Sequence, residues 1–247
     1  MESLRDLFYN HSGKRVHKWD HYFEIYERYL DKYKGKDIAI LEIGVAHGGS
    51  LQLWKKYFGK NVKIYAIDVN PECKKLEEEN IEIFIGSQSD AAFLESVAKS
   101  LPPLDVIIDD GGHTMKQQIV SFEVLYKYVK DDGVYICEDT HTSYWREYQG
   151  GLRRKGTFTE YSKNLIDNIY AWHVVDSSKV KPDTITATLN SIHFYDSVIV
   201  FEKTKKREKP FHIIKGNDTI QPFTEPDIRM QKGIFRKLKM AWRKLTS

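Results

Sequence analysis

Cysteine is scarce in this 247-residue chain: Cys73 and Cys137 lie far apart and lack zinc-ligand spacing. That argues against a disulfide framework and for a reducing compartment. Long apolar runs are missing too. No stretch approaches the ~18 consecutive apolar residues of a membrane span. The first twenty residues lack the apolar core of a secretory signal, so the expected location is cytoplasmic. There is no internal repeat and no G-x-G-x-x-G dinucleotide fingerprint. The net charge is only +3, but residues 203–247 hold 13 Lys/Arg against 4 Asp/Glu. The remainder is therefore acidic, and only the tail bears on anionic partners.

What is present suits a soluble globular protein, with 41% hydrophobic and 30% charged residues. Residues 21–33 place Tyr22, Tyr26, Tyr29 and Tyr33 at helical spacing, as a core stripe or as a lid over a ligand. Strand-like runs follow at 37–45, 62–69, 81–86, 104–109 and 133–139, with helical patterns at 50–59, 71–80, 90–101 and 113–130. Strands alternating with helices predict a parallel sheet covered on both faces. A helix over 159–173 and two strands within 190–203 complete the order. The expected fold class is α/β: five parallel β/α units, then a C-terminal antiparallel β-hairpin. The expected organisation is an N-terminal helical segment (1–35), a main domain (36–204), a polar arm (205–230) and a basic amphipathic helix (231–247).

Open α/β sheets bind ligands beyond the carboxyl ends of their strands. The first strand leads into a glycine turn with Glu42, Gly44, Gly48, Gly49 and Ser50. Such glycines let a ligand approach the backbone, though many tight βα turns use glycine for packing alone. The second strand ends in Asp68, placed to accept two ribose hydroxyls or to cap the segment after Pro71. Together these favour an adenosine-type ligand. The fourth strand ends in Asp109 and Asp110, with His113 close behind, and the fifth in Glu138 and Asp139. Neighbouring strand ends lie about 5 Å apart. Carboxylates that close repel and need a cation or raised pKa values. A hard divalent ion such as Mg²⁺ meets that need, unless half of these side chains cap helices or face solvent.

The segments LEIGVAHGGSLQLW, IYAIDVNPEC, IGSQSD, VIIDDGGHTMKQQIVSFE, EDTHTSYW and HFYDSVIVFEK carry a resemblance. Over roughly residues 15–203 the chain resembles the class I, S-adenosylmethionine-dependent sugar O-methyltransferases related to the macrocin and mycinamicin enzymes. The resemblance implies a Rossmann-like methyltransferase sheet. It implies Mg²⁺ held by Asp110, Glu138 and Asp139, and His113 as the base. It implies S-adenosylmethionine bound along Glu42, Gly44, Gly48, Ser50, Asp68, Ser87, Gln88 and Asp109. One departure stands out: related sequences carry Asp where this chain has Ser87, at a position associated with adenine.

The implied reaction is Mg²⁺-dependent methylation of a sugar hydroxyl, with His113 taking the proton and His141 the next base in line. The expected acceptor is a glycan or lipid-linked polysaccharide precursor; a small natural product is the alternative. A hydroxylase is disfavoured because no 2-His-1-carboxylate set stands out. A non-catalytic adenosyl-ligand scaffold is the rival outside enzymes. In the tail, Ile234, Phe235, Leu238, Ala241, Trp242 and Leu245 share one helical face opposite six cations. That composition suits an anionic membrane surface, with docking on its own domain or another subunit as the alternative. Nucleic acid is not an expected partner; a homo-oligomer is possible on sequence grounds.

Overall fold

The computed structural model describes residues 2–176, 178–217, 219 and 220. The expected amphipathic helix at 231–247 lies outside the described residues. The chain divides into two compact units, Met1–Lys209 and Pro210–Ser247. The described part of the second contains no helix or strand. Among the described residues, no helix is long and apolar enough to cross a membrane.

The first unit is built on seven strands: β1 (Ala39–Ile43), β2 (Lys63–Asp68), β3 (Ile81–Ile85), β4 (Leu104–Asp109), β5 (Val129–Cys137), β6 (Leu189–Phe194) and β7 (Ile199–Lys203). Their order is β3-β2-β1-β4-β5-β7-β6. β1 to β5 pair in parallel, while β7 runs antiparallel to both β5 and β6. This is the expected architecture. The order reverses between β1 and β4, which opens a crevice beyond their carboxyl ends.

Among the described residues seven α-helices accompany the sheet: α1 (Leu4–Tyr9), α2 (Tyr22–Leu30), α3 (Gly49–Phe58), α4 (Ala91–Ser100), α5 (Met115–Leu125), α6 (Phe158–Ile169) and α7 (Thr184–Thr188). One core packs Trp54, Tyr26 and Phe23 against Ile40, Val106 and Ile136; a second packs Phe122, Phe158 and Phe201 against Leu41, Ile107 and Tyr135. The tyrosines of α2 and the turn after it are buried, so the stripe is core. Its first member, Tyr22, also reaches the site described below. Cys73 and Cys137 are free and buried.

Two local expectations change. Residues 71–80 make only a 3₁₀ turn, Pro71–Leu76. The Glu77 carboxylate accepts the backbone N–H of Ile83 (2.8 Å), and the Lys74 ammonium donates to the Ile83 carbonyl (2.8 Å). Both side chains are thus tied to β3, where a longer helix would need to carry the chain away. The helix expected over 113–130 stops at Leu125, and β5 begins already at Val129. An irregular register opposite Leu104 and Val106, with Asp132 at φ +62°, hides that strand start behind polar residues.

Candidate active site

The glycine turn after β1 is shaped first by its own chain. At Gly44 φ is +96°, and a Cβ would fall 2.1 Å from the Asp110 carbonyl oxygen. At Gly49 a Cβ would fall 2.3 Å from the carbonyl oxygen of Lys14. The glycines therefore admit β4 on one side and the segment between α1 and α2 on the other. Asp68 holds the same turn. Its Oδ2 accepts the backbone N–H groups of Val45 (2.8 Å) and Ala46 (3.1 Å), and its Oδ1 that of Asn70 (2.8 Å). Burial pushes this carboxyl up, but the three amides outweigh it and hold the group below its ordinary value.

The next layer is buried and polar. Asp109 accepts from Gln88 Nε2 (3.0 Å) and from the Tyr135 hydroxyl (3.1 Å). Burial pushes its pKa up to about 7 in spite of both bonds. Gln88 also donates to Ser121 Oγ (3.1 Å), and its Oε1 accepts the Gly112 N–H (2.6 Å). Asp109 and Gln88 thus shape the loop that carries Asp110 and His113. Glu42 accepts from Ser50 Oγ (3.1 Å), and burial pushes its pKa up to about 7. Ser87 pairs with Ser89 (2.9 Å) at the rim of the cleft.

Asp110, His113 and Asp139 come together: one ligand atom from each lies within 4.8 Å of the others. His113 Nε2 is 3.8 Å from Asp110 Oδ1 and 3.5 Å from Asp139 Oδ2. His113 and Asp139 adopt left-handed backbone conformations, φ +56° and +51°, which are uncommon outside glycine and recur at functional sites. Thr142 Oγ1 bridges them, donating to the backbone oxygens of His113 and Asp139 (both 2.9 Å). The Tyr22 hydroxyl donates to Asp139 Oδ1 (2.7 Å). Glu138 is placed differently. It is buried behind the cluster, with Lys18 Nζ at 3.0 and 2.8 Å from its two oxygens. Burial and the nearby Asp110 push its pKa up against the opposing pull of Lys18.

Lys18 and Trp19 carry no sequence signal as site residues, and Tyr22 reads only as one of a stripe that is core or lid. Their partners are remote in the chain, and a lysine or tryptophan beside an aromatic helix reads as an ordinary surface residue. His141 sits beside Asp139 (Nδ1 to Oδ1, 4.0 Å). Its ring lies between Trp19 (6.1 Å) and Trp145 (4.6 Å), measured between centroids. Both tryptophans are about half exposed, at 52% and 48%. A cleft of about 870 Å³ joins the glycine turn, Asp68 and Ser87 to Asp110, His113 and Asp139. Its size suits a ligand that combines a nucleoside with a short side chain.

Sheet order, glycine turn and acidic strand ends together define a class I methyltransferase fold. Residues 41–140 match a family model described as a methyltransferase domain, and the chain has that fold. Within the class it is a homologue of macrocin- and mycinamicin-type sugar O-methyltransferases at about 30% identity. Mycinamicin VI 2''-O-methyltransferase of Micromonospora griseorubida is 31% identical over 74% of this chain and 48% of its own length. A tetracenomycin-C rhamnosyl 3'-O-methyltransferase of Streptomyces olivaceus is 30% identical over 83% of this chain and 55% of its own. The MycE methyltransferase of the mycinamycin pathway, solved with Mg and SAH, superposes at a TM-score of 0.76 with 28% identity. That match covers 83% of this chain and 55% of MycE. The same enzyme has been solved with Mg, SAH and mycinamycin VI. The chain spans about half the length of the curated relatives it matches.

Proposed function

We propose that this chain transfers a methyl group from S-adenosylmethionine to a sugar hydroxyl of a glycosylated small molecule, aided by a divalent ion. The observation that carries the reading is the convergence of Asp110, His113 and Asp139 at one end of a cleft whose other end is the glycine turn. The relatives supply the class of acceptor: one methylates a rhamnosyl tetracenomycin-C and another mycinamicin VI. This favours the natural-product alternative over a lipid-linked glycan. Among the described residues nothing points to a membrane, and the basic run 231–247 lies outside them. The exposed faces of Trp19 and Trp145 support a sugar acceptor, because the C–H face of a pyranose stacks on aromatic rings.

S-adenosylmethionine supplies an electrophilic methyl on a sulfonium, and its adenosine half fits the cleft beside Asp68 and Ser87. Asp68 gives two acceptor sites of Oδ2 and one of Oδ1 to backbone amides, and the remaining site on Oδ1 suits one ribose hydroxyl. The donor set suits a hard ion, since Asp110 and Asp139 present oxygens and Glu138 stands behind them. When bound there, such an ion lowers the pKa of a sugar hydroxyl. The imidazole of His113 faces the same space. Hard ions favour oxygen over nitrogen, which leaves Nε2 to take the hydroxyl proton as the C–O bond forms and the C–S bond breaks. Thr142 fixes the His113 backbone, and Tyr22 fixes the direction of Asp139, so neither group must reorganise during reaction. Calorimetric titration with S-adenosylhomocysteine tests the cofactor half: micromolar binding that Asp68→Ala weakens is expected. Binding of NAD with none of S-adenosylhomocysteine would reject it.

A further inference from the structure

One buried charge has no part in that scheme. Lys18 lies between α1 and α2, and its side chain is 3% exposed. The ammonium passes 5.8 Å from the centre of the Tyr26 ring. It lies 2.5 Å from Asp110 Oδ2, 2.8 and 3.0 Å from the Glu138 oxygens, and 4.0 Å from Glu42 Oε1. These carboxylates stand at the ends of three adjacent strands, β1, β4 and β5. An ammonium has three protons to donate, and Asp110 with the two Glu138 oxygens occupies them.

Asp110 and Glu138 are two of the three carboxylates that the family resemblance assigns to Mg²⁺. A divalent ion bound to both and the Lys18 ammonium would be like charges within a few ångströms in a partly dehydrated site, an arrangement with a large Coulomb cost. We propose that Lys18 is the resident cation of this site: it orders Asp110 and Glu138 when no ion is bound and competes with a divalent ion for them. The inference rests on the reading that the acidic cluster takes such an ion. While Lys18 is in place, Glu138 is withheld, and Asp110 Oδ1 and Asp139 are the carboxylate groups that face the cleft beside His113. Full engagement of Glu138 requires the ammonium to withdraw. Lys18 therefore sets how tightly the ion binds and keeps the carboxylates from repelling one another in its absence.

The test uses the full chain, with Mg²⁺ or Mn²⁺ alone as the probe. Mn²⁺ affinity is read from the electron spin resonance signal of the free ion, and stability from thermal unfolding with and without Mg²⁺. Lys18→Met keeps the apolar stem and removes the charge. It is expected to unfold at a lower temperature than wild type without metal, to gain more from saturating Mg²⁺, and to bind Mn²⁺ at least about tenfold more tightly. Lys18→Arg, which keeps the charge, is expected to show no such tightening. Lys18→Gln gives the same reading if the methionine variant does not fold. Neutral variants that bind Mn²⁺ no more tightly than a wild type that does bind it would overturn the role of Lys18 and leave the ion site standing. If neither wild type nor variant binds an ion while S-adenosylhomocysteine still binds, the ion reading falls, and this inference with it.

Discussion

In the proposed reaction His113 is the residue on which the chemistry turns. Its Nε2 faces Asp110 and Asp139, and its backbone is locked by Thr142. Replacing it with alanine is expected to lower kcat by about 10²–10⁴-fold, the range for loss of a general base. S-adenosylhomocysteine affinity should be nearly unchanged, because the glycine turn and Asp68 lie at the other end of the cleft. An unaltered pH–rate profile in His113→Ala would move the proton transfer elsewhere, with His141 the nearest alternative. Asp110→Ala should abolish turnover and weaken Mn²⁺ binding while leaving S-adenosylhomocysteine binding intact. Wild-type Mn²⁺ affinity in that variant would remove Asp110 from the ion site. The residue types of this site were legible in the sequence because carboxylates repeated at two strand ends. Which carboxylate faces which partner was not. Glu138 turns to Lys18, 120 residues earlier, and Asp139 to Tyr22, 117 residues earlier. No local spacing encodes either pairing.

At the scale of elements, the turn from β1 into α3 joins sheet to site. Gly44→Ala would set a methyl against the Asp110 carbonyl at a backbone angle that side chains avoid. A loss of about 1–3 kcal/mol is expected, typical of forcing extra volume into a packed position, read as a lower melting temperature. An unchanged melting temperature would mean the two strand ends separate more freely than their packing implies. Asp68 supports the same turn and gives it a pH dependence. Its carboxyl is held below the ordinary aspartate value of about 3.9. A depressed pKa contributes stability above the unfolded value, lost as pH falls through the folded one. Asp68→Asn should therefore melt earlier than wild type at neutral pH, with the gap closing below about pH 4. A gap independent of pH would assign the effect to packing instead. Period and length made most elements legible, since apolar strands alternate with helices. The 3₁₀ turn at Pro71–Leu76 was not, because side chains bound to β3 override local preference there, and the start of β5 was not, because its register breaks among polar residues.

At the scale of the molecule, the sheet order places β1 between β2 and β4, so that a ligand over the switch point meets all three strand ends. The segment between α1 and α2 closes over the same place, bringing Lys18 and Trp19 to the cleft. Lys14 anchors it, donating to Glu78 at 2.7 Å, and its backbone N–H donates to Gln52 Oε1 at 2.9 Å. Lys18, Trp19 and Tyr22 of the N-terminal helical segment thus line the cleft. The central claim is ion-assisted methyl transfer to a sugar oxygen. It is tested most directly by mass spectrometry of mycinamicin VI and rhamnosyl tetracenomycin-C incubated with the protein, S-adenosylmethionine and Mg²⁺. One added methyl on the sugar fragment is expected, absent when EDTA is in excess. Methylation of the aglycone, or full transfer in excess EDTA, would contradict the account.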